Sequence, residues 1–167
     1  MDSMVRRRRW IVAGAIALAI GLVPACSSDD SSSASGDTSS AGTTGSTDGT
    51  VAVTLQEFAV AADPGSAPAG SVTFDVTNVG PNDVHEFVVV KTDLGPTELP
   101  VDDTGAEKEG GDGMEAVDEI EDIPVDGNEQ LTVDLDAGNY VLFCNIYSED
   151  EPEAHYSEGM RIGFTVE

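Results

Sequence analysis

From Val51 onward, apolar residues recur at every second position. Val51, Val53 and Leu55 alternate with polar or small residues, as do Val72, Phe74 and Val76, then Leu131, Val133 and Leu135, and finally Phe164 and Val166. A period of two places alternate side chains on one face of an extended chain, so these segments are predicted as half-buried strands. Val84–Val90 and Tyr140–Cys144 are nearly continuous apolar runs, the pattern of more central strands. Turn signals separate the segments: Asp63-Pro-Gly65, Ala67-Pro-Ala-Gly70, Asn78-Val-Gly-Pro81, Asp126-Gly127 and Asp136-Ala-Gly138. The only helical suggestion is Met114–Asp122, at the end of an acidic excursion that begins at Asp93. This layout predicts an all-β, Greek-key β-sandwich over residues 51–167, large enough to fold independently.

The N-terminus has a different character. Arg6 to Arg9 form a basic stretch, and Ile11 to Ala25 form an apolar one of fifteen residues. That is too short to span a bilayer, so residues 1–25 are expected to be a signal peptide. Its end, Leu22-Val-Pro-Ala-Cys26, resembles a bacterial lipobox, with Pro24 as the departure from the usual pattern. The resemblance implies lipidation of Cys26 and a lipid anchor on the outer face of the cell membrane; without lipidation the protein would be secreted. Ser27–Thr50 contains only Ser, Thr, Gly, Asp and Ala. With no apolar surface to bury, residues 26–50 are expected to form a disordered tether, roughly 25–30 Å in root-mean-square span.

Charge excludes one class of partner. The chain carries a formal net charge of −25, and removing residues 1–25 takes away four arginines and one aspartate, leaving three basic and 31 acidic residues. Such a chain repels phosphate backbones, so nucleic acid is not a partner. The acidity suits either a surface solvated at high salt or electrostatic steering toward a basic protein. The carboxylates of Asp102-Asp-Thr-Gly-Ala-Glu-Lys-Glu lack the alternating oxygen ligands of a calcium loop, so the excursion reads as a solvated acidic loop.

The remaining feature is chemical. Cys144 ends an apolar run, His155 follows after ten intervening residues, and Met160 follows after four more. His85 lies inside an earlier strand. These residues include every histidine of the chain and the one cysteine outside the lipobox segment. A lone thiol in an oxidising compartment must be buried or coordinated. One thiolate, two imidazoles and a thioether make the ligand set of a mononuclear type 1, or blue, copper centre.

Two segments resemble the cupredoxin family, the fold of plastocyanin, azurin and halocyanin-like proteins. They are Val84-His-Glu-Phe-Val-Val-Val90, and Tyr140-Val-Leu-Phe-Cys-Asn-Ile146 with His155-Tyr-Ser-Glu-Gly-Met160 and the strand that follows. The resemblance implies one copper per chain, with His85 and His155 as equatorial ligands, Cys144 as the thiolate and Met160 as the axial thioether. It also implies single-electron transfer between redox protein partners, with His155 near the surface as the electron's exit, and a monomeric protein. Two departures stand out. Residues Tyr147–Ala154 contain an acidic insertion of about six residues compared with the family's usual Cys–His spacing. It either loops outward while His155 still reaches the metal or loosens the site, and a looser site would favour copper buffering, delivery or resistance. Glu86 also stands where several blue-copper proteins carry an Asn. An enzyme is not expected, because no histidine remains for a catalytic copper or for a nucleophile–base pair.

Overall fold

A computed structural model describes residues 49–149 and 152–167. The expected signal peptide, Cys26 and the tether up to residue 48 lie outside the described residues. Among those described, no helix is long and apolar enough to cross a membrane.

Two sheets face each other. The first has the order β2 (Ala59–Asp63), β1 (Thr50–Gln56), β4 (Gly70–Asn78), β7 (Asn128–Leu135). The second has the order β3 (Ser66–Ala67), β11 (Arg161–Val166), β8 (Gly138–Phe143), β5 (His85–Thr92), β6 (Met114–Ile123). The chain passes from β4 to the second sheet, returns for β7 and leaves again for β8, as the expected Greek-key β-sandwich requires. Register converts the alternation into one apolar face: parallel β1 sets Val51 beside Phe74 and Val53 beside Val76, while antiparallel β7 sets Val133 beside Val72 and Leu131 beside Phe74. These residues meet Phe87, Val89, Leu142, Phe164 and Val166 of the second sheet in one core. The Phe74 ring packs on Phe87 and Phe164, with centroids 5.2 and 5.5 Å away. Each such buried side chain contributes about 1.5–3 kcal/mol.

β5 and β8 read as continuous apolar runs because both their faces are covered. Val88, Val90, Val141 and Phe143 point away from the main core and join Leu99 and Tyr156 in a second cluster. Residues 93–113 therefore fold back over the outer face of the second sheet, burying Leu99, Ala106 and Glu107. This corrects the expectation of a wholly solvated acidic loop: only part of the excursion is exposed.

The expected helix over Met114–Asp122 is instead the edge strand β6. Val117, Ile120 and Ile123 lie three apart, which mimics a helical face. The strand achieves the same convergence with two bulges. His85 and Phe87 pair with Ile123 and Ile120, and Val89 and Val90 pair with Asp118 and Ala116, so β6 carries an extra residue at each place. Asp122, in the first bulge, takes a left-handed φ of 57°.

β5, β8 and β11 are neighbours in the second sheet, with Phe143 paired to both Val88 and Arg161. That register brings the start of β5, the end of β8 and the approach to β11 to one end of the sandwich. These are the positions of His85, Cys144 and Met160.

Candidate metal centre

His85 is held through the loop that precedes it. Asn78 is fully buried; its side chain donates to the carbonyls of Asp83 (2.8 Å) and Ile123 (3.0 Å) and accepts from the Gly80 N–H (2.8 Å). Glu57, in the β1–β2 turn, accepts at Oε1 from the N–H groups of Asn82 and Asp83. The loop is thereby fixed at both ends of its last turn, and His85 enters β5 with its ring fully buried.

The other three predicted ligands are joined by main-chain hydrogen bonds. The Cys144 N–H donates to the Met160 carbonyl, and the Met160 N–H donates to the His155 carbonyl, each at 3.0 Å. His155 opens the one-turn helix α1 (His155–Glu158), which ends at Gly159 with φ 134°. A Cβ at Gly159 would lie 3.0 Å from the Phe58 carbonyl oxygen, so this turn needs glycine for space as well as for dihedral angle. Between Cys144 and His155, β9 (Tyr147–Ser148) pairs antiparallel with β10 (Glu153–Ala154). The His155 N–H donates to the Ile146 carbonyl at 2.9 Å and closes the loop at its base.

These constraints bring three donor atoms together. His85 Nδ1 lies 3.2 Å from His155 Nδ1, and Cys144 Sγ lies 3.8 Å from the first and 3.4 Å from the second. A point equidistant from all three is about 2.0 Å from each, close to ordinary metal–nitrogen lengths and slightly inside a metal–thiolate bond. The donor set therefore fits a trigonal ion of the borderline-soft kind. Met160 is fully buried beside it through the backbone bonds to Cys144 and His155.

Electrostatics keep the three donor side chains neutral. Burial pushes the Cys144 thiol up to about 12. Burial also lowers both imidazoles, and for His85 the neighbouring His155 lowers it further. A metal ion entering the site thus meets one thiol proton and no imidazolium charge.

Polar residues that the sequence reading did not assign surround the cluster. The Glu86 N–H points at Cys144 Sγ at 3.4 Å, and its carboxylate accepts the Asn145 N–H at 2.8 Å. Burial, opposed by that hydrogen bond, raises the Glu86 carboxyl to about 7. Asn145 in turn accepts the Glu107 N–H and donates to the Glu107 carbonyl at 3.1 Å, tying the residue after Cys144 to the covering segment. Asn78 stood in a recognised turn, where Asn commonly caps its own loop. Glu57, Glu107 and Asn145 carry no local signal.

His155 departs from its expected place at the surface. It is 2% exposed, with the Phe58 ring edge-on against it at 5.3 Å.

Among solved structures, the chain is similar to a dithionite-reduced auracyanin from the photosynthetic bacterium Roseiflexus castenholzii, at 22% identity over 71% of this chain and 97% of that chain, with a TM-score of 0.50. The fold is the cupredoxin β-sandwich. Auracyanin B matches at 21% identity over 71% of this chain and 88% of its own, with a TM-score of 0.48. Auracyanin A, described as a blue copper protein from Chloroflexus aurantiacus, matches at 18% identity over 71% and 98%, with a TM-score of 0.43. No family model and no curated protein sequence matches the chain.

Proposed function

We propose that this chain is a membrane-tethered, extracytoplasmic blue-copper protein that carries single electrons between redox proteins. The observation that carries the reading is the buried triangle of His85 Nδ1, His155 Nδ1 and Cys144 Sγ, with sides of 3.2 to 3.8 Å. A His₂Cys trigonal set with a weak axial thioether is the donor arrangement of electron-transfer copper. His85, Cys144 and His155 would be the equatorial ligands and Met160 the axial one.

Bound copper supplies a one-electron couple between Cu(I) and Cu(II). The chain's own contribution is to hold the donors still: the Asn78 turn fixes His85, and the Cys144–Met160–His155 backbone bonds fix the other three. The Glu86 N–H directed at Cys144 Sγ favours the thiolate over the thiol. Both histidines of the chain belong to the cluster, which leaves none for a second, catalytic copper and supports a carrier rather than an enzyme. Val84, next to His85, and Tyr147, in the hairpin, are exposed apolar residues at this end, beside the acidic Asp83 and Glu149. Exposed apolar residues next to acidic ones suit transient docking of a basic redox partner. The signal segment, Cys26 and the tether would supply export and the lipid anchor.

The test is optical and EPR titration of the chain with about one equivalent of Cu(II), alongside Cys144→Ser. An intense blue band with narrow parallel hyperfine splitting, lost in the variant, is expected. A colourless, tetragonal spectrum with rapid copper exchange would replace this reading with copper buffering or delivery.

A further inference from the structure

The pocket behind His85 holds two buried polar atoms without partners. Among the described residues, His85 Nε2 and Glu57 Oε2 are both shielded from solvent and make no hydrogen bond. They belong to neighbouring side chains, for Glu57 Oε1 lies 4.0 Å from His85 Nε2. The two side chains are 0% and 9% exposed. Leaving either atom unpaired costs about 1–3 kcal/mol.

Ligation decides which proton sits where. His85 turns Nδ1 toward Cys144 and His155, so as a ligand its ring proton must lie on Nε2, facing Glu57. Oε1 lies 4.0 Å from Nε2, beyond hydrogen-bond reach, so pairing requires the Glu57 carboxylate to turn and bring Oε2 within about 3 Å of the ring. Glu57 is suited to this because the Asn82 and Asp83 N–H groups already hold Oε1 and favour its charged form, leaving Oε2 to accept. The same groups come from the loop that delivers His85, so the carboxylate that holds the loop also lies beside the ring. Asp83 is the other acidic group whose charge reaches His85, and His155 the other imidazole.

We propose that Glu57 is the positioning residue of the centre, accepting the Nε2–H of metal-bound His85 and thereby favouring Cu(II) over Cu(I). This rests on the reading of His85 as a copper ligand. The sign follows from charge: a carboxylate one imidazole away from the metal attracts a dication more than a monocation. Loss of an outer-shell partner of a ligating histidine weakens metal binding by about 10–100-fold.

The experiment compares Glu57→Gln and Glu57→Leu with the parent in the full-length chain. Glu57→Gln keeps the side-chain shape and an acceptor for the loop, while Glu57→Leu removes both functions. Each variant is expected to lose about tenfold in Cu(II) affinity with Cu(I) affinity little changed, a rise of about 59 mV in potential for a one-electron couple. The parent's Cu(I) form should show a slowly exchanging His85 Nε2–H by nitrogen-edited NMR, shifted in Glu57→Gln. A purely structural role for Glu57 would lower the unfolding midpoint but leave the Cu(II)/Cu(I) affinity ratio untouched, and that result overturns the proposal. So does a His85 ring protonated on Nδ1. Absence of a blue band in the parent would instead remove the copper reading itself. The metal-free His85 resonance would then decide separately: insensitivity to Glu57→Gln would rule out the pairing as well.

Discussion

Glu107 offers a direct way to measure what the fold spends to cover its second sheet. The residue is 6% exposed, its Oε1 has no partner among the described residues, and burial together with the charge of Glu109 raises its carboxyl to about 7 from 4.5. A carboxyl raised on folding binds its proton more tightly in the folded state. It therefore costs nothing below the unfolded value and destabilises progressively as pH rises through the window from 4.5 to about 7. Between about pH 5 and pH 8 the linkage integral for this one group is at most about 2.5 kcal/mol, and partial hydration of the buried carboxylate reduces it toward about 1. Glu107→Gln removes the titration while leaving intact the main-chain bonds to Asn145, which use the Glu107 N–H and carbonyl. The assay is urea unfolding of the metal-free protein at both pH values. Parent and variant each have a fixed cost for burying a neutral polar head, so the informative quantity is the change in their difference with pH. The variant should gain about 1–2.5 kcal/mol relative to the parent on going from about pH 5 to pH 8. A difference that stays within about 0.5 kcal/mol would show that Glu107 ionises freely and that the covering segment opens to water at little cost.

Three further outcomes are expected. Because the metal-free site carries one thiol proton and neutral imidazoles, the Cu(II) dissociation constant should fall about tenfold per pH unit near neutrality; a competition titration giving a slope near zero or three would contradict the protonation state. Met160→Leu, nearly volume-conserving at a fully buried position, should cost under about 1.5 kcal/mol, keep the blue colour and raise the potential. An unchanged potential by voltammetry would mean that Met160 is not the axial ligand. Residues 49–167 carry 27 acidic and three basic side chains, so added salt should raise the melting temperature by screening their repulsion; melts flat across ionic strength would remove self-repulsion as a term.

The sandwich was legible where burial is one-sided. β1, β4 and β7 alternate because each has one face on the core, and the pattern survives in the sequence unchanged. β2 left little trace, since only Val60 of Ala59–Asp63 is buried and its alanines alternate too weakly. β6 misled because two bulges make a spacing of three serve a strand, a device invisible without knowledge of its partner β5. The convergence of His85, Cys144 and His155 was legible for a compositional reason beside the motif spacing: the chain has so few soft donors that these three had few alternatives. What lay beyond reach was everything supplied by distant polar groups. Glu57, Glu107 and Asn145 acquire their roles only when packing buries them, and the burial of His155 depends on Phe58, which lies far away in sequence.

The Ile146–His155 hydrogen bond at the base of the hairpin separates two properties of the same loop. The clamp fixes the spacing of Cys144 and His155, whereas the loop's length and charge are set above it, by the eight residues Tyr147–Ala154. Doubling such a closed segment costs only about 0.6 kcal/mol in closure entropy. The hairpin is thus a separable part, whose length and charge can change at little cost in closure entropy while the clamp beneath it is kept.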